Sequence, residues 1–191
     1  MSKKTLYGQT HNRVVTPKSG VRMGGQFIDG EALSFIKTKR MSELVNLAEK
    51  DDKYHKYLIT NKHARVRAAV ANASTKYHDV LVADVEWMVR AAVAKASTMY
   101  HEQLKDDEYW RVRKVVASAS TKYHAQLKDD EDEDVRAAVA RTSTTYHEQF
   151  VTDVGWAVRR AVASSSTTYH EQLKDDGSWL VREAVANYKE E

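Results

Sequence analysis

The sequence predicts an all-α solenoid of six 23-residue two-helix repeats behind an extended N-terminal arm, and three observations carry that prediction. A Tyr-His pair falls at 54, 77, 100, 123, 146 and 169, a spacing of 23 without insertion. Each pair is followed at fixed offsets by one large apolar residue (Leu58, Leu81, Leu104, Leu127, Phe150, Leu173), then by Val-Arg, then by Val-Ala or its equivalent. Helix breakers cluster at the start: five of the seven glycines and the single proline, Pro17, precede residue 31.

Taken in order, residues 1–40 read as a basic, glycine-containing arm with a small hairpin around "SGVRMGG". Lys and Arg outnumber Asp and Glu by 9 to 4 over residues 1–50, whereas residues 51–191 are nearly balanced at 21 to 23. Residues 41–53, "MSELVNLAEKDD" and its flank, read as a capping helix for the first repeat, with Ser42 as N-cap and Leu44, Val45, Leu47 and Ala48 apolar. Residues 54–191 are the six repeats. Within one of them, "DVEWMVRAAVAKAST", Val89, Ala92, Val93 and Ala96 recur at i, i+3, i+4 and i+7, one face of a helix. Ser97 and Thr98 close it and can cap a short second helix, "MYHEQL", one or two turns long and open to 3₁₀ geometry. Small residues (Ala69, Ala92, Ala138, Ala161, Ala184) recur where neighbouring helices must pass closely.

Several function classes fall away at this level. The chain has no cysteine, which excludes disulfides, thiolate metal sites and cysteine nucleophiles. No stretch reaches the roughly 18 consecutive apolar residues of a membrane helix, and the beginning lacks the apolar run of a signal peptide. A cytoplasmic protein is expected.

The module Asp-x-x-Trp-x-Val-Arg-x-x-Val-Ala, followed by a capped short helix, resembles the short HEAT-like repeats, in particular the leucine-rich repeat variant (LRV) family, over residues 54–191. The resemblance implies a ladder of turn aspartates and second-helix arginines between successive repeats. The matching positions are Asp84 with Arg90, Asp107 with Arg113, Asp130 with Arg136, Asp153 with Arg159 and Asp176 with Arg182, with Asn61 standing where the first acid would be. Arg113 is expected to be partly buried and bonded to carboxylates of its own and a neighbouring repeat. The iron-sulfur attachment known in that family needs cysteines, so no cofactor is expected here.

Other residues invite sharper readings. The Tyr-His column could hold metal, but helices pack about 8–10 Å apart and zinc needs nitrogens at about 2 Å, so a packing tyrosine beside a partly exposed histidine is expected. Trp87, Trp110, Trp156 and Trp179 share one column, with Ala64 and Glu133 filling it elsewhere; core or half-buried packing is expected over base stacking. The run "DDEDED" at 129–134 lacks the glycine of a calcium loop and reads as a solvated turn. Ser-Thr-x-Tyr-His contains nucleophile and base types, yet a motif copied along a rod is not one convergent pocket, so no enzyme is expected.

The informative positions lie on the long helix at offsets 11, 14 and 18 from each tyrosine. They hold Arg65, Lys95, Arg111, Lys114, Arg141 and Arg160 against Asp134 and Glu183. The resemblance places them on the inner, concave surface. A basic face beside a basic arm attracts anionic partners. The sequence therefore predicts a non-enzymatic scaffold or small inhibitor that binds a protein with an acidic surface through these six cations, the alternative being sequence-nonspecific binding of DNA or RNA.

Overall fold

The computed structural model describes residues 21–23, 26–28 and 30–188, grouped in two units, Met1–Ala73 and Ser74–Glu191.

The first unit opens with an antiparallel hairpin of β1 (Val21–Met23) and β2 (Gln26–Ile28), Val21 opposite Ile28. Residues 1–20 of the expected arm lie outside the described residues. Helix α1 (Gly30–Lys37) follows, correcting the expectation that all of 1–40 is extended chain. "GEALSFIK" has good helix formers after its glycine, and Phe35 stacks on Tyr54, ring centroids 5.7 Å apart, so packing against the first repeat holds what propensity alone left open. Helix α2 (Met41–Lys50) packs on the long helix of repeat one, as its apolar pattern predicts, with Leu44 and Ala48 buried. Its N-cap is Arg40 rather than Ser42: the Glu43 carboxylate accepts the Arg40 amide at 2.9 Å. The first repeat supplies α3 (His55–Leu58) and α4 (Ala64–Ala73).

In the second unit the remaining five repeats alternate short and long helices: α5 (His78–Leu81) and α6 (Trp87–Ala96), α7 (His101–Leu104) and α8 (Trp110–Ala119), α9 (His124–Leu127) and α10 (Glu133–Thr142), α11 (His147–Phe150) and α12 (Trp156–Ser165), α13 (His170–Leu173) and α14 (Trp179–Asn187). Each long helix from α6 to α14 packs on the next, making this unit a row of helix pairs, a repeat solenoid. A 3₁₀ turn precedes every short helix, as at Thr98–Tyr100, because Ser97 Oγ accepts the amide of Met99 at 3.2 Å and closes the chain tightly.

The recurring apolar residues form the core. Leu81, Leu104, Leu127, Phe150 and Leu173 are buried, worth about 1.5–3 kcal/mol each, and the valines of Val-Arg are wholly enclosed. The histidine of the Tyr-His pair belongs to this core in all but the last repeat, where His170 is half-buried. His101, His124 and His147 are at most 2% exposed, correcting the expectation of a partly exposed histidine. Their Nε2–H groups donate to the carbonyls of Ala94, Ala117 and Ala140 at 2.8 Å, seven residues back in the last turn of the preceding long helix. Those carbonyls would otherwise lack a partner inside their helix. The histidine therefore pins α7, α9, α11 and α13 each to the long helix before it, while most of the tyrosines stay half-buried at the surface.

Candidate binding surface

Two kinds of arginine divide the second unit. Arg90, Arg113, Arg136 and Arg159, of the Val-Arg pairs, face the turn of the following repeat. Arg113 donates from Nε and Nη2 to the two oxygens of Asp130 at 2.7 and 2.9 Å, and from Nη1 to the carbonyl of Asp107 at 2.8 Å. Arg90 with Asp107, Arg136 with Asp153 and Arg159 with Asp176 repeat the fork. The ladder is thus real but runs forward: each arginine takes the carboxylate 17 residues ahead, and its own repeat supplies a backbone carbonyl instead of the expected carboxylate. The reason is that the aspartate's Oδ1 already faces inward, accepting the amide two residues on (Tyr109 for Asp107, Asp132 for Asp130), which holds the turn and aims both oxygens at the preceding helix. Donating these hydrogen bonds to the carboxylates raises the pKa of Arg90, Arg113, Arg136 and Arg159. Asn61 keeps the turn by accepting the amide of His63 at 2.9 Å and drops only the charge. "DDEDED" is corrected in part: Asp130 is buried in the ladder and Asp132 accepts the amide of Asp134, while Asp129 and Glu131 stay exposed.

The other face, along the long helices, carries the predicted binding residues. Arg111 is exposed and lies over the rings of Trp110 and Trp87, 4.4 and 5.1 Å from their centroids. Tyr109 stacks on Trp87 at 6.2 Å, and Lys114 reaches the ring of Trp110 at 5.5 Å. Lys114 is not a free cation: its Nζ lies 3.0 Å from Asp134 of the next repeat. Lys95, Arg141 and Arg160 are exposed on α6, α10 and α12 and make no hydrogen bond or ion pair among the described residues. Arg65 is exposed on α4 in the first unit. The structure therefore gathers Arg111 and Lys114 around Trp110, sets Arg160 one turn beyond Trp156 on the same helix, and leaves Lys95 and Arg141 near the far ends of theirs.

The tryptophans are the residues that sequence reasoning undervalued. Trp87 and Trp110 are half-buried, but Trp156 is 40% and Trp179 62% exposed, against the expectation of packing positions throughout. Each opens its long helix, so the ring projects beyond the enclosed valine two positions later. The column itself held the signal, since Glu133 occupies it once and an ionised carboxylate rarely replaces a core aromatic.

Two shallow clefts, of about 430 and 540 Å³, lie beside the Arg–Asp ladder in the second unit. No group of three metal-binding side chains occurs among the described residues, and no described helix is long and apolar enough to cross a membrane. The Ser-Thr-x-Tyr-His segments are built into turns and core, serine as cap and histidine on a carbonyl.

The fold is similar to a solved structure described as a leucine-rich repeat variant with a novel repetitive protein structural motif. The TM-score is 0.63 at 24% identity, covering 82% of this chain and 70% of that one. No family model and no curated protein matches the sequence. The LRV resemblance of the repeats thus holds in three dimensions as a fold.

Proposed function

We propose that the chain is a non-enzymatic scaffold that binds a protein partner with an acidic surface through the long-helix face, the tryptophan column supplying the anchors and the surrounding arginines and lysines the orientation. The observation that carries this reading is the exposure of Trp156 and Trp179 on a face where Arg111 already lies over two further tryptophans. Tryptophan and arginine are the residue types in which binding energy concentrates at protein interfaces. A nucleic-acid interface would rest on cations free to meet phosphates. Around Trp110, Lys114 is paired with Asp134 and Arg111 is engaged with aromatic rings, which leaves, of the predicted cations in the second unit, only the scattered Lys95, Arg141 and Arg160 free among the described residues for that alternative.

The test pairs capture of partners from lysate, with and without nuclease, with salt titrations on random duplex and single-stranded oligonucleotides. Capture should survive nuclease, fall at least tenfold in the Trp156→Ala, Trp179→Ala double variant, and respond mildly to salt. Oligonucleotide binding with a log-log salt slope of about −0.9 per contact on duplex, flattened by Lys114→Glu with Arg160→Glu, would transfer the face to nucleic acid.

A further inference from the structure

We infer, on the protein-binding reading of the long-helix face, that the partner presents an acidic, proline-rich segment in polyproline II conformation, laid across the long helices with one proline to each step of the tryptophan row. The spacing of the row selects that conformation. Trp87, Trp110 and Trp156 each open a long helix, in repeats two, three and five, and α6, α8, α10 and α12 pack each on the next. Arg111 Cζ lies 5.1 Å from the Trp87 ring and 4.4 Å from the Trp110 ring. Those rings therefore stand no further apart than the two lengths end to end, about 9.5 Å, within the roughly 8–10 Å at which packed helices lie.

Of the regular backbone conformations, polyproline II keeps that step best. It rises about 3.1 Å per residue with three residues per turn, so every third side chain returns to one face after about 9.3 Å. A β-strand returns to one face every 6.6–6.8 Å or so, far out of step. An α-helix returns after seven residues at about 10.5 Å, and over the three steps from Trp87 to Trp156 it slips by about 3 Å. The chemistry of the row agrees, since aromatic-lined grooves are what proline-rich segments dock on. Tyr109, 43% exposed, stacks on Trp87 at 6.2 Å, and Trp156 is 40% exposed. Charge sets the positions beside the prolines. Arg111 brings positive charge onto the row, and Arg160, one turn beyond Trp156, is exposed without a hydrogen bond or ion pair among the described residues, so acids there are favoured. Glu133 holds the row's place in repeat four, its side chain lying across Gly155 where an added Cβ would collide with the carboxylate, and it disfavours an acid at that one step.

The experiment offers the full chain four labelled peptides of equal length: repeats of Glu-Pro-Pro, repeats of Glu-Gly-Ser with the same charge on a flexible backbone, repeats of Lys-Pro-Pro, and a helix-forming acidic peptide of alanine and glutamate. Fluorescence anisotropy at low salt should show the Glu-Pro-Pro peptide binding at least about tenfold tighter than each of the other three. Trp156→Ala and Arg160→Glu, both at exposed positions, should each weaken it at least about fivefold and leave the melting temperature unchanged. No binding of the Glu-Pro-Pro peptide, binding of any other peptide as tight or tighter, or an affinity that survives both substitutions overturns the inference. Nuclease-resistant capture that still depends on the tryptophans would then leave the protein-binding reading standing with a partner of another conformation. Loss of that capture as well would remove both.

Discussion

Arg111 and Arg113 sit two residues apart on α8 and face opposite demands. Arg113 is 8% exposed, its guanidinium locked between Asp130 ahead and the carbonyl of Asp107 behind. Arg111 is exposed over Trp87 and Trp110. The Arg113 column recurs without substitution in all six repeats, whereas the Arg111 column reads Arg, Met, Arg, Asp, Ala, Leu. A column is invariant along the chain where every copy meets the same neighbouring repeat, and free where it meets solvent. Binding specificity can be written only in the free columns.

The largest effect should come from breaking the locked side. Arg113→Ala strands Asp130, whose side chain is 6% exposed, and removal of one partner from a buried pair costs about 3–5 kcal/mol. Chemical denaturation should show that loss while binding through the tryptophan face persists at temperatures where the variant remains folded. A variant that melts like the parent but loses its partner would put Arg113 on the binding side and collapse the comparison.

Acid should act on the same side, less strongly. The Asp176 carboxyl lies below its ordinary pKa, chiefly through the hydrogen bond from Arg159, with the Ser178 amide adding to it. A carboxylate whose folded pKa is depressed contributes its full stability above the unfolded value of about 3.9 and loses it as pH falls through the lowered folded value. Melting temperature should therefore drop below about pH 4, and Asp176→Asn should lower stability at neutral pH while shrinking that drop. An unchanged acid profile in the variant would mean that the pair adds nothing.

The smallest effect belongs to the free side. Lys114 and Asp134, with side chains 35% and 41% exposed, form an ion pair worth about 0–1 kcal/mol. A double-mutant cycle on Lys114→Ala and Asp134→Ala measures it directly. A coupling near that of Arg113 would show that the long-helix face also holds the fold together.

Much of this was legible before any coordinates. The 23-residue period, the Ser-x amide caps and the valine and leucine columns depend on residues within one or two turns of each other, and they appear where the pattern puts them. Helix α2 was readable for the same reason. Helix α1 was not, because its eight residues are stabilised by packing, Phe35 on Tyr54, rather than by a strong local signal. The cation stripe was legible as a list of exposed residues, but not the pairing of Lys114 with Asp134 twenty residues on.

By itself, the sequence determined the class of fold, the repeat length and which columns are apolar, since helical periodicity and caps are short-range and each copy restates them. The tertiary structure decided which aspartate each arginine holds, that the histidines lie inside on alanine carbonyls, and that two tryptophans face outward. Those outcomes depend on how one repeat lies against its neighbour, and a strict period states that every repeat has the same neighbour without saying which atoms it will present.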